Sequence, residues 1–416
     1  MRKILLILAI FYLLFYPPVF GIHSLRIIAV ISLLYLFLNM KKINTFLCIR
    51  KLQNLYFVWI IITIWIAGII VINQASMGVL NPFVYWLISI IPASLMIGVE
   101  LRKKDGDLFA LIDLVLKAGM IQALLAIASF FLPSVKSFFL TRLSAAGVLD
   151  LEYYGYYVDM RLFGFSNGLT YAMPVLQAFL AMIAFYMAIN KGLKYIIYIP
   201  FLLFSAIVNG RTPLVIVALC MLVLIVQRLK MNPSKMFRIF VLSSSAILIF
   251  IVGIFILEKY AHNTFLWIVD GAKQIGGFFV GDNDTGYFSY LLDKTKWTLP
   301  SGVFLLFGAG IRVLGGEAIN HSDIGYINDV WLGGLLYCIV VYTLVVSYIH
   351  KMRKLCVWDG LEKRLIKYIS GCLLICAIFL NFKGYIINLN CMANFFVLLA
   401  GFTMLTKGKN LLLEIL

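Results

Sequence analysis

The sequence predicts an all-α protein: a polytopic bundle of about twelve membrane helices with two large external loops. Of its 416 residues, 63% are hydrophobic and only 13% are charged, which is more apolar surface than one soluble core could bury. Apolar stretches of membrane-spanning length recur along the whole chain, and basic residues collect in alternate connections between them. We therefore predict a single integral membrane domain over residues 1–416.

Each predicted span is a stretch of about 20 mostly apolar residues, which can cross the hydrocarbon core as a helix whose backbone hydrogen bonds are satisfied internally. The first stretch is predicted to be a retained span and not a signal peptide, because Tyr16–Phe20 contains no small-residue cleavage site. Applied along the chain, the length criterion predicts spans at 4–20, 25–40, 55–73, 80–99, 111–132, 167–189, 193–209, 212–227, 237–257, 328–349, 368–382 and 385–405.

The net charge of +17 is distributed unevenly between the two sides of the predicted membrane. With the amino terminus in the cytoplasm, 24 of the 35 Lys and Arg residues lie in cytoplasmic segments, and 11 of the 18 Asp and Glu residues lie outside. An excess of basic residues in cytoplasmic loops is the usual orientation signal of membrane proteins. We therefore expect both termini in the cytoplasm, membrane lipids around the chain, and no nucleic acid partner.

The predicted spans contain almost no ionisable residues. Asp113 and Lys117, near the inner end of the fifth span, are four residues apart and are expected to pair with each other. Pumps and exchangers need ionisable groups near the middle of the membrane. A flippase for lipid-linked oligosaccharides or another transporter is therefore disfavoured.

Two long connections, 133–166 and 258–327, are predicted to be external loops with a function. The second loop contains apolar stretches too short to span, which we expect to form helices on or partly in the membrane surface. The first loop contains tyrosines near carboxylates, a combination suited to sugar faces and hydroxyls, although an aromatic belt at the lipid–water interface is the alternative. These tyrosines are Tyr153, Tyr154, Tyr156 and Tyr157.

An arginine lies in a tight turn between the seventh and eighth predicted spans. Gly210 precedes Arg211, and Pro213 follows two residues later, so the backbone of the turn is constrained and predicts a defined position for the arginine. The planar donors of arginine match phosphate oxygens, so we predict that Arg211 binds a lipid diphosphate at the outer leaflet. The alternative is a single basic residue that reaches lipid headgroups.

A second candidate site precedes the tenth predicted span. Residues 308–312 read Gly-Ala-Gly-Ile-Arg and are followed by Asn320, His321 and Asp323. Histidine, with a pKa of about 6.5, can accept a hydroxyl proton near neutrality. His321 is thus a candidate general base, and Asp323 either orients it or is the base itself. These two residues are too few for a catalytic zinc site, so no metal is expected.

These elements resemble the Wzy-type O-antigen or capsule repeat-unit polymerases and their relatives, the O-antigen ligases, which are bacterial inner-membrane proteins with a similar number of spans. Relatives often show His followed directly by Asn, whereas here Ser322 follows the histidine. The resemblance is carried by Arg161 with Gly164 ahead of a span, the Gly210-Arg211-Thr212 turn, the Gly-x-Gly of 308–310 near Arg312, and His321 at the foot of a span.

The resemblance implies a GT-C-like glycosyltransferase that works without a metal, nucleotide sugar or other cofactor. Its donor and acceptor would be undecaprenyl-diphosphate-linked oligosaccharides on the periplasmic side of the inner membrane. Arg211 and Arg312 would bind the diphosphate, with Arg161 as a third contact and Asn320 beside the glycan. A chain-length regulator protein is a further candidate partner. We favour a polymerase over a ligase because the tyrosine-rich first loop could hold a second bulky glycan.

Overall fold

The structure is a computed structural model. The predicted site residues Tyr153, Tyr154, Tyr156, Tyr157, Asn320 and His321 lie outside the residues it describes. The described residues are 3–19, 22–40, 49–147, 161, 164–168, 171–228, 241, 244, 251–260, 262–280, 293–313, 322–354, 360–384 and 390–405.

Helices form most of the described chain, which confirms the prediction of an all-α fold. Within the described ranges, the only sheet is a short antiparallel hairpin in which Pro18–Val19 pairs with Ile22–His23. This hairpin connects the helices Lys3–Phe15 and Ser24–Leu38. The chain is therefore built by packing helix on helix.

Several helices have the length and composition of membrane spans. Among the described residues, four are long and apolar enough to cross a membrane: Met77–Arg102, Leu108–Phe131, Ala172–Asn190 and Gly325–Lys354. Shorter apolar helices cover Lys3–Phe15, Ser24–Leu38, Tyr56–Ile72, Leu193–Ile207, Thr212–Gln227 and Cys391–Met404. These helices indicate a membrane-embedded protein, while the total of twelve spans stays a prediction.

The chain divides into two compact units, each made of three segments. The first comprises Met1–Ile27, Asp107–Gly276 and Trp358–Cys372, and the second comprises Ile28–Gly106, Gly277–Val357 and Leu373–Leu416. Three helices contain residues of both units, namely Ser24–Leu38, His262–Val280 and Gly360–Leu380. The expectation of one integral membrane domain stays a prediction.

The first unit is organised around the helix Ala172–Asn190, in which every side chain from Met173 to Ile189 is buried. A helix that is apolar on all sides is suited to such an interior position. Gly119 allows a close approach, since a Cβ there would lie 2.6 Å from Cδ1 of Leu180. The other helices of this unit are Lys3–Phe15, Leu108–Phe131, Pro133–Ala145, Tyr198–Ile207, Thr212–Arg228 and a stretch over 251–260, with a 3₁₀ turn at Leu193–Ile197.

The second unit packs Ile91–Arg102 against Cys391–Met404. Gly98 permits this contact, because a Cβ there would lie 2.5 Å from Cδ1 of Leu405. A π-helical turn precedes Pro92, whose missing N–H interrupts the regular helical hydrogen bonds. The helices of this unit are Ile49–Ile72, Asn81–Tyr85, Trp86–Ile90 (π), Ile91–Arg102, Val303–Phe307, Gly325–Lys354 and Cys391–Met404, with 3₁₀ turns at Met77–Leu80 and Lys294–Trp297.

Both predicted external loops, 133–166 and 258–327, contain helices. Pro133–Ala145 is helical within the predicted first loop, and Pro133 takes the first helical position, where its missing N–H costs nothing. In the second loop, the apolar stretches at 265–269 and 276–280 lie on one continuous helix, His262–Val280. The prediction of helices in this loop is confirmed, while their position relative to the membrane stays a prediction.

The predicted pairing inside the fifth span is also confirmed. The Nζ atom of Lys117 donates a hydrogen bond to Oδ2 of Asp113 at 2.6 Å, and Lys3 Nζ lies 4.0 Å from the same oxygen. A charged pair four residues apart on one helix is a local structural contact. These charges are therefore accounted for without a transport function.

Candidate functional site

Arg211 lies in the predicted turn, between a helix that ends at Ile207 and one that begins at Thr212. Pro213 is the second residue of the following helix, a position at which proline is favoured. Gly210 is tightly enclosed, since a Cβ there would lie 3.1 Å from Cδ of Pro213. The local sequence therefore determines the turn and the starting direction of the Arg211 side chain.

The guanidinium group of Arg211 binds the helix His262–Val280. Its Nη1 donates to Oε1 of Gln274 at 2.7 Å, and its Nη2 donates to the carbonyl oxygen of Trp267 at 3.0 Å and to Oδ2 of Asp270 at 2.9 Å. Its Cζ also lies 5.0 Å from the centroid of the Trp267 ring. The side chain is thus held by hydrogen bonds, charge and ring contact together.

The partners of Arg211 lie on one face of that helix. Trp267, Asp270, Gly271 and Gln274 are separated by three, one and three residues, a spacing that places side chains on the same face. Gly271 makes room for the arginine, because a Cβ there would lie 2.5 Å from Nε of Arg211. This face is a receptor for one extended arginine side chain.

Arg161 also contacts the ring of Trp267. Its Cζ lies 5.0 Å from the centroid of the Trp267 ring, the same distance as that of Arg211. Arg161 and Arg211 are therefore brought together in the first unit by a residue far from both in the sequence. We call Arg161, Arg211, Trp267, Asp270 and Gln274 the arginine cluster.

The ion pair within the arginine cluster is accessible to solvent. The Arg211 side chain is 25% exposed and that of Asp270 is 57% exposed. Exposed ion pairs contribute only about 0–1 kcal/mol to stability, so this pair adds little to the stability of the fold. Gln274 Nε2 donates to the same Oδ2 of Asp270 at 3.0 Å and keeps the carboxylate on this face.

The segment that follows Arg161 is anchored on neighbouring helices. Gly164 has a φ of +60° and is buried, and a Cβ there would lie 2.7 Å from Nε2 of Gln122 and 3.0 Å from the backbone N of Ala126. Asn167 N–H donates to the carbonyl oxygen of Phe15 at 3.1 Å. Glycine is required at this close approach, which limits the position of the preceding chain.

His23 also contacts the segment 164–168. Its Nε2 lies 2.9 Å from Nδ2 of Asn167, and its ring stacks on Tyr16 with centroids 5.6 Å apart. Burial, together with the charge of Arg26, lowers the pKa of His23 to about 4. The imidazole is therefore neutral at physiological pH, and Nε2 can accept the amide hydrogen bond.

The Gly-x-Gly segment at 308–310 packs against a break in the tenth predicted span. The break is at Gly334, where φ is 75° and ψ is −179°. Ala309 N–H donates to the carbonyl of Trp331 at 2.8 Å, and Gly310 N–H donates to that of Leu332 at 3.1 Å. The segment thus satisfies carbonyl groups that the broken helix leaves without a partner, as an interrupted membrane helix requires.

A buried carboxylate lies just before this break. Asp329 is 1% exposed, and its Oδ2 accepts hydrogen bonds from Tyr342 Oη at 2.6 Å and from Asn381 Nδ2 at 3.2 Å. Asp329, Tyr342 and Asn381 thus form a buried polar cluster in the second unit. Arg312, predicted as a diphosphate ligand, lies in the same unit.

Asp323 is half-buried in the segment just before the helix Gly325–Lys354, and the neighbouring Ser322 makes several hydrogen bonds. Ser322 N–H donates to the carbonyl of Val313 at 2.8 Å, and Ser322 Oγ donates to that of Lys296 at 2.7 Å. Because His321 lies outside the described residues, its relationship to Asp323 and the assignment of either as the base stay predictions.

Sequence reasoning missed the partners of the predicted arginines. The spacing of Trp267, Asp270 and Gln274 on one helical face was a signal, but its use requires knowing that the second loop is helical there. Asp329 carried a signal too, since a carboxylate in an apolar span is usually buried with partners. Tyr342 and Asn381 gave no such sign. Tyr342 lies 13 positions from Asp329 on the same helix, beyond the three- or four-residue spacing of helix neighbours, and Asn381 lies 52 positions away.

Within the ranges that the structure describes, no three His, Cys, Asp or Glu side chains lie together in a way that could hold a metal ion. Comparisons with protein-family models, with curated proteins and with solved structures find no match to this chain.

Proposed function

We propose that this chain is a polymerase that joins undecaprenyl-diphosphate-linked oligosaccharide repeat units into O-antigen or capsular polysaccharide. In this proposal the reaction occurs on the periplasmic face of the bacterial inner membrane, and both termini are cytoplasmic. The observation that carries it is the pairing of Arg161 and Arg211 on Trp267. Two guanidinium groups held near each other suit an anion with two phosphates.

The proposed reaction breaks the bond between the anomeric carbon of the donor glycan and its diphosphate. An acceptor hydroxyl attacks this carbon, and the electron pair of the broken bond stays on the diphosphate oxygen. The hydroxyl proton passes to His321 or Asp323. Arg211 and Arg161 stabilise the negative charge of the leaving undecaprenyl diphosphate, and Arg312 is a third candidate for this role.

Asp270 occupies the position on Arg211 that a phosphate oxygen would take. A carboxylate and a phosphate both accept hydrogen bonds from a guanidinium group, and the exposed carboxylate here is the weaker competitor. In the proposed cycle the diphosphate therefore replaces Asp270, while Gln274 and the ring of Trp267 keep Arg211 in place.

An O-antigen ligase, which transfers the glycan to lipid A-core, is the alternative within the same chemistry. We favour the polymerase because the tyrosine-rich first loop, with Tyr153, Tyr154, Tyr156 and Tyr157, could hold a second glycan. Asn320 is a further glycan-binding candidate from the sequence. Both substrates carry lipid anchors, so membrane lipids surround the site in either case. A chain-length regulator is the protein partner we would look for first.

The deciding experiment is a gel of the surface polysaccharides of host cells that make lipopolysaccharide but lack this chain. We expect the ladder to collapse to lipid A-core with a single repeat unit. Loss of all repeat units from the core, with accumulation of lipid-linked polymer, would instead identify a ligase. An unchanged ladder would contradict both activities and would favour a transporter instead.

Variants then test the site in the same cells. Arg211→Ala and Arg161→Ala should not restore the ladder, although the proteins reach the membrane. Arg142→Ala is the matched control, because Arg142 also lies over an aromatic ring, that of Phe138 at 5.4 Å, but outside the arginine cluster. Full restoration by both cluster variants would show that these arginines are not required.

A further inference from the structure

Trp267 contacts both arginines of the arginine cluster through one indole ring. The Cζ atoms of Arg161 and Arg211 each lie 5.0 Å from the ring centroid, so they are separated by no more than twice that distance. Two phosphates joined by one oxygen form an anion that can contact two guanidinium groups at such a separation. A single phosphate is less suited to bridge them.

We propose that Trp267 is the positioning residue that holds Arg161 and Arg211 as a pair and thereby makes the site selective for a diphosphate over a monophosphate. This inference rests on the proposed function, and it assigns to Trp267 the selectivity of the site for a diphosphate. Two guanidinium groups repel each other, and each would otherwise seek its own partner. The electron-rich ring face attracts both, which offsets part of that repulsion.

Trp267 restrains Arg211 in two directions. Its ring contacts the guanidinium group, while its backbone carbonyl accepts a hydrogen bond from Nη2 at 3.0 Å. Gln274 holds Nη1 at 2.7 Å. A guanidinium group fixed in this way loses little conformational entropy when it binds an anion, which is the general advantage of a preorganised site.

Arg161 depends on the ring in a different way. It precedes the anchored segment 164–168, whose glycine packs against Gln122 and Ala126. The backbone therefore places Arg161 in this region, and its guanidinium group contacts the indole ring of Trp267. Loss of the ring should leave Arg211 partly held by Gln274 and Asp270, while Arg161 loses the ring contact that places it near Arg211.

The test measures binding of inorganic pyrophosphate and of orthophosphate to the purified full-length protein in nanodiscs. Trp267→Leu should weaken pyrophosphate binding about tenfold, since two cation–π contacts are lost, and should weaken orthophosphate binding by only about threefold. Trp267→Phe, which keeps a ring face, should restore most of the difference. Trp297→Leu is the control, because Trp297 is an exposed tryptophan that also contacts an aromatic ring, that of Phe382.

A double-mutant cycle separates positioning from general structural support. Once Arg161→Ala is present, Trp267→Leu should add much less to the loss of pyrophosphate binding than it does alone. Equal losses for both anions, or no rescue by phenylalanine, would overturn the positioning role. Thermal unfolding of each variant, measured in parallel, checks that the protein remains folded.

The outcomes also distinguish this inference from the proposed function. If Arg161→Ala and Arg211→Ala weaken pyrophosphate binding but Trp267→Leu does not, the inference is wrong while the diphosphate site stands. If none of the three substitutions changes pyrophosphate binding, both the inference and the assignment of the arginine cluster as a diphosphate site are wrong.

Discussion

Nη2 of Arg211 donates a hydrogen bond to Oδ2 of Asp270 at 2.9 Å, across 59 positions of sequence. The same oxygen accepts a hydrogen bond from Gln274, so one carboxylate oxygen closes a small polar network over the guanidinium group. The arginine that the sequence singles out for anion binding thus already has an anionic partner. A phosphate ligand that binds Arg211, as we propose, has to compete with Asp270 for the guanidinium group.

Replacing Asp270 with asparagine should strengthen pyrophosphate binding. The amide can still accept a hydrogen bond from Arg211, but it lacks the negative charge that competes with the ligand. Because exposed ion pairs contribute about 0–1 kcal/mol, the expected gain is up to about fivefold in affinity. Titration of the purified protein measures it, with Asp293→Asn, another exposed acid, as the control. Weaker binding in the Asp270 variant would mean that the carboxylate positions Arg211 and does not compete.

Replacing Tyr342 with phenylalanine should destabilise the protein. The hydroxyl donates to the buried Asp329 carboxylate at 2.6 Å, and its removal leaves that charge with one donor fewer. An uncompensated buried group of this kind costs about 1–3 kcal/mol. Thermal unfolding in detergent should show the loss, whereas Tyr260→Phe, at an exposed tyrosine, should have little effect. If Asp329→Asn does not reduce the cost of the Tyr342 substitution, the carboxylate is not the cause.

Replacing Gly334 with alanine should also destabilise the protein, and more strongly. Gly334 has a φ of 75°, and a Cβ there would overlap the backbone carbonyl of Leu306. With ψ at −179°, this backbone conformation is essentially restricted to glycine and costs another residue about 1–3 kcal/mol, and the overlap adds to it. Gly68→Ala is the control, because a Cβ on Gly68 meets nothing within 4 Å and alanine favours its helix. Equal stability of the two variants would contradict a tight contact at the break.

Stability should fall as pH decreases from about 6.5 towards 4, in part because of His23. Its pKa is lowered to about 4 by burial, so protons bind the unfolded chain first and favour unfolding in this range. Above pH 6.5 the contribution of His23 to the free energy of unfolding is fully present. Allowing for the partial exposure of its ring, this contribution is on the order of 1–2 kcal/mol. Unfolding temperatures of His23→Gln should depend less on pH across this window than those of the unchanged protein.

The positions of the helices could be predicted because they depend on local composition. Span 111–132 corresponds to Leu108–Phe131, and span 167–189 corresponds to Ala172–Asn190. The ends moved by a few residues where specific side chains intervene, such as Asp107, which caps the first of these helices by accepting from Ala110 N–H at 2.7 Å. The helix inside the first predicted loop was missed, since Pro133–Ala145 is too polar for a span criterion to detect.

The candidate site was predictable only in part. The turn at Arg211 follows from the neighbouring Gly210 and Pro213, whose backbone restrictions act over a few residues. Its hydrogen bonds to Asp270 and Gln274 join residues 59 and 63 positions apart in the sequence. Trp267, the ring that it shares with Arg161, is also distant from both arginines in the sequence. No local pattern determines such pairings.

By itself, the sequence determined that this protein is helical, that its helices suit a membrane, and that an arginine lies in a constrained turn between two of them. These properties depend on hydrophobic composition and on the backbone preferences of neighbouring residues. Only the tertiary structure decided that Arg161 and Arg211 share Trp267 and that Asp329 is buried with Tyr342 and Asn381. The reason is physical: such contacts form only when distant helices pack or, for Asp329 and Tyr342, when one helix is broken between them at Gly334. Both depend on the shape and polarity of the surrounding side chains.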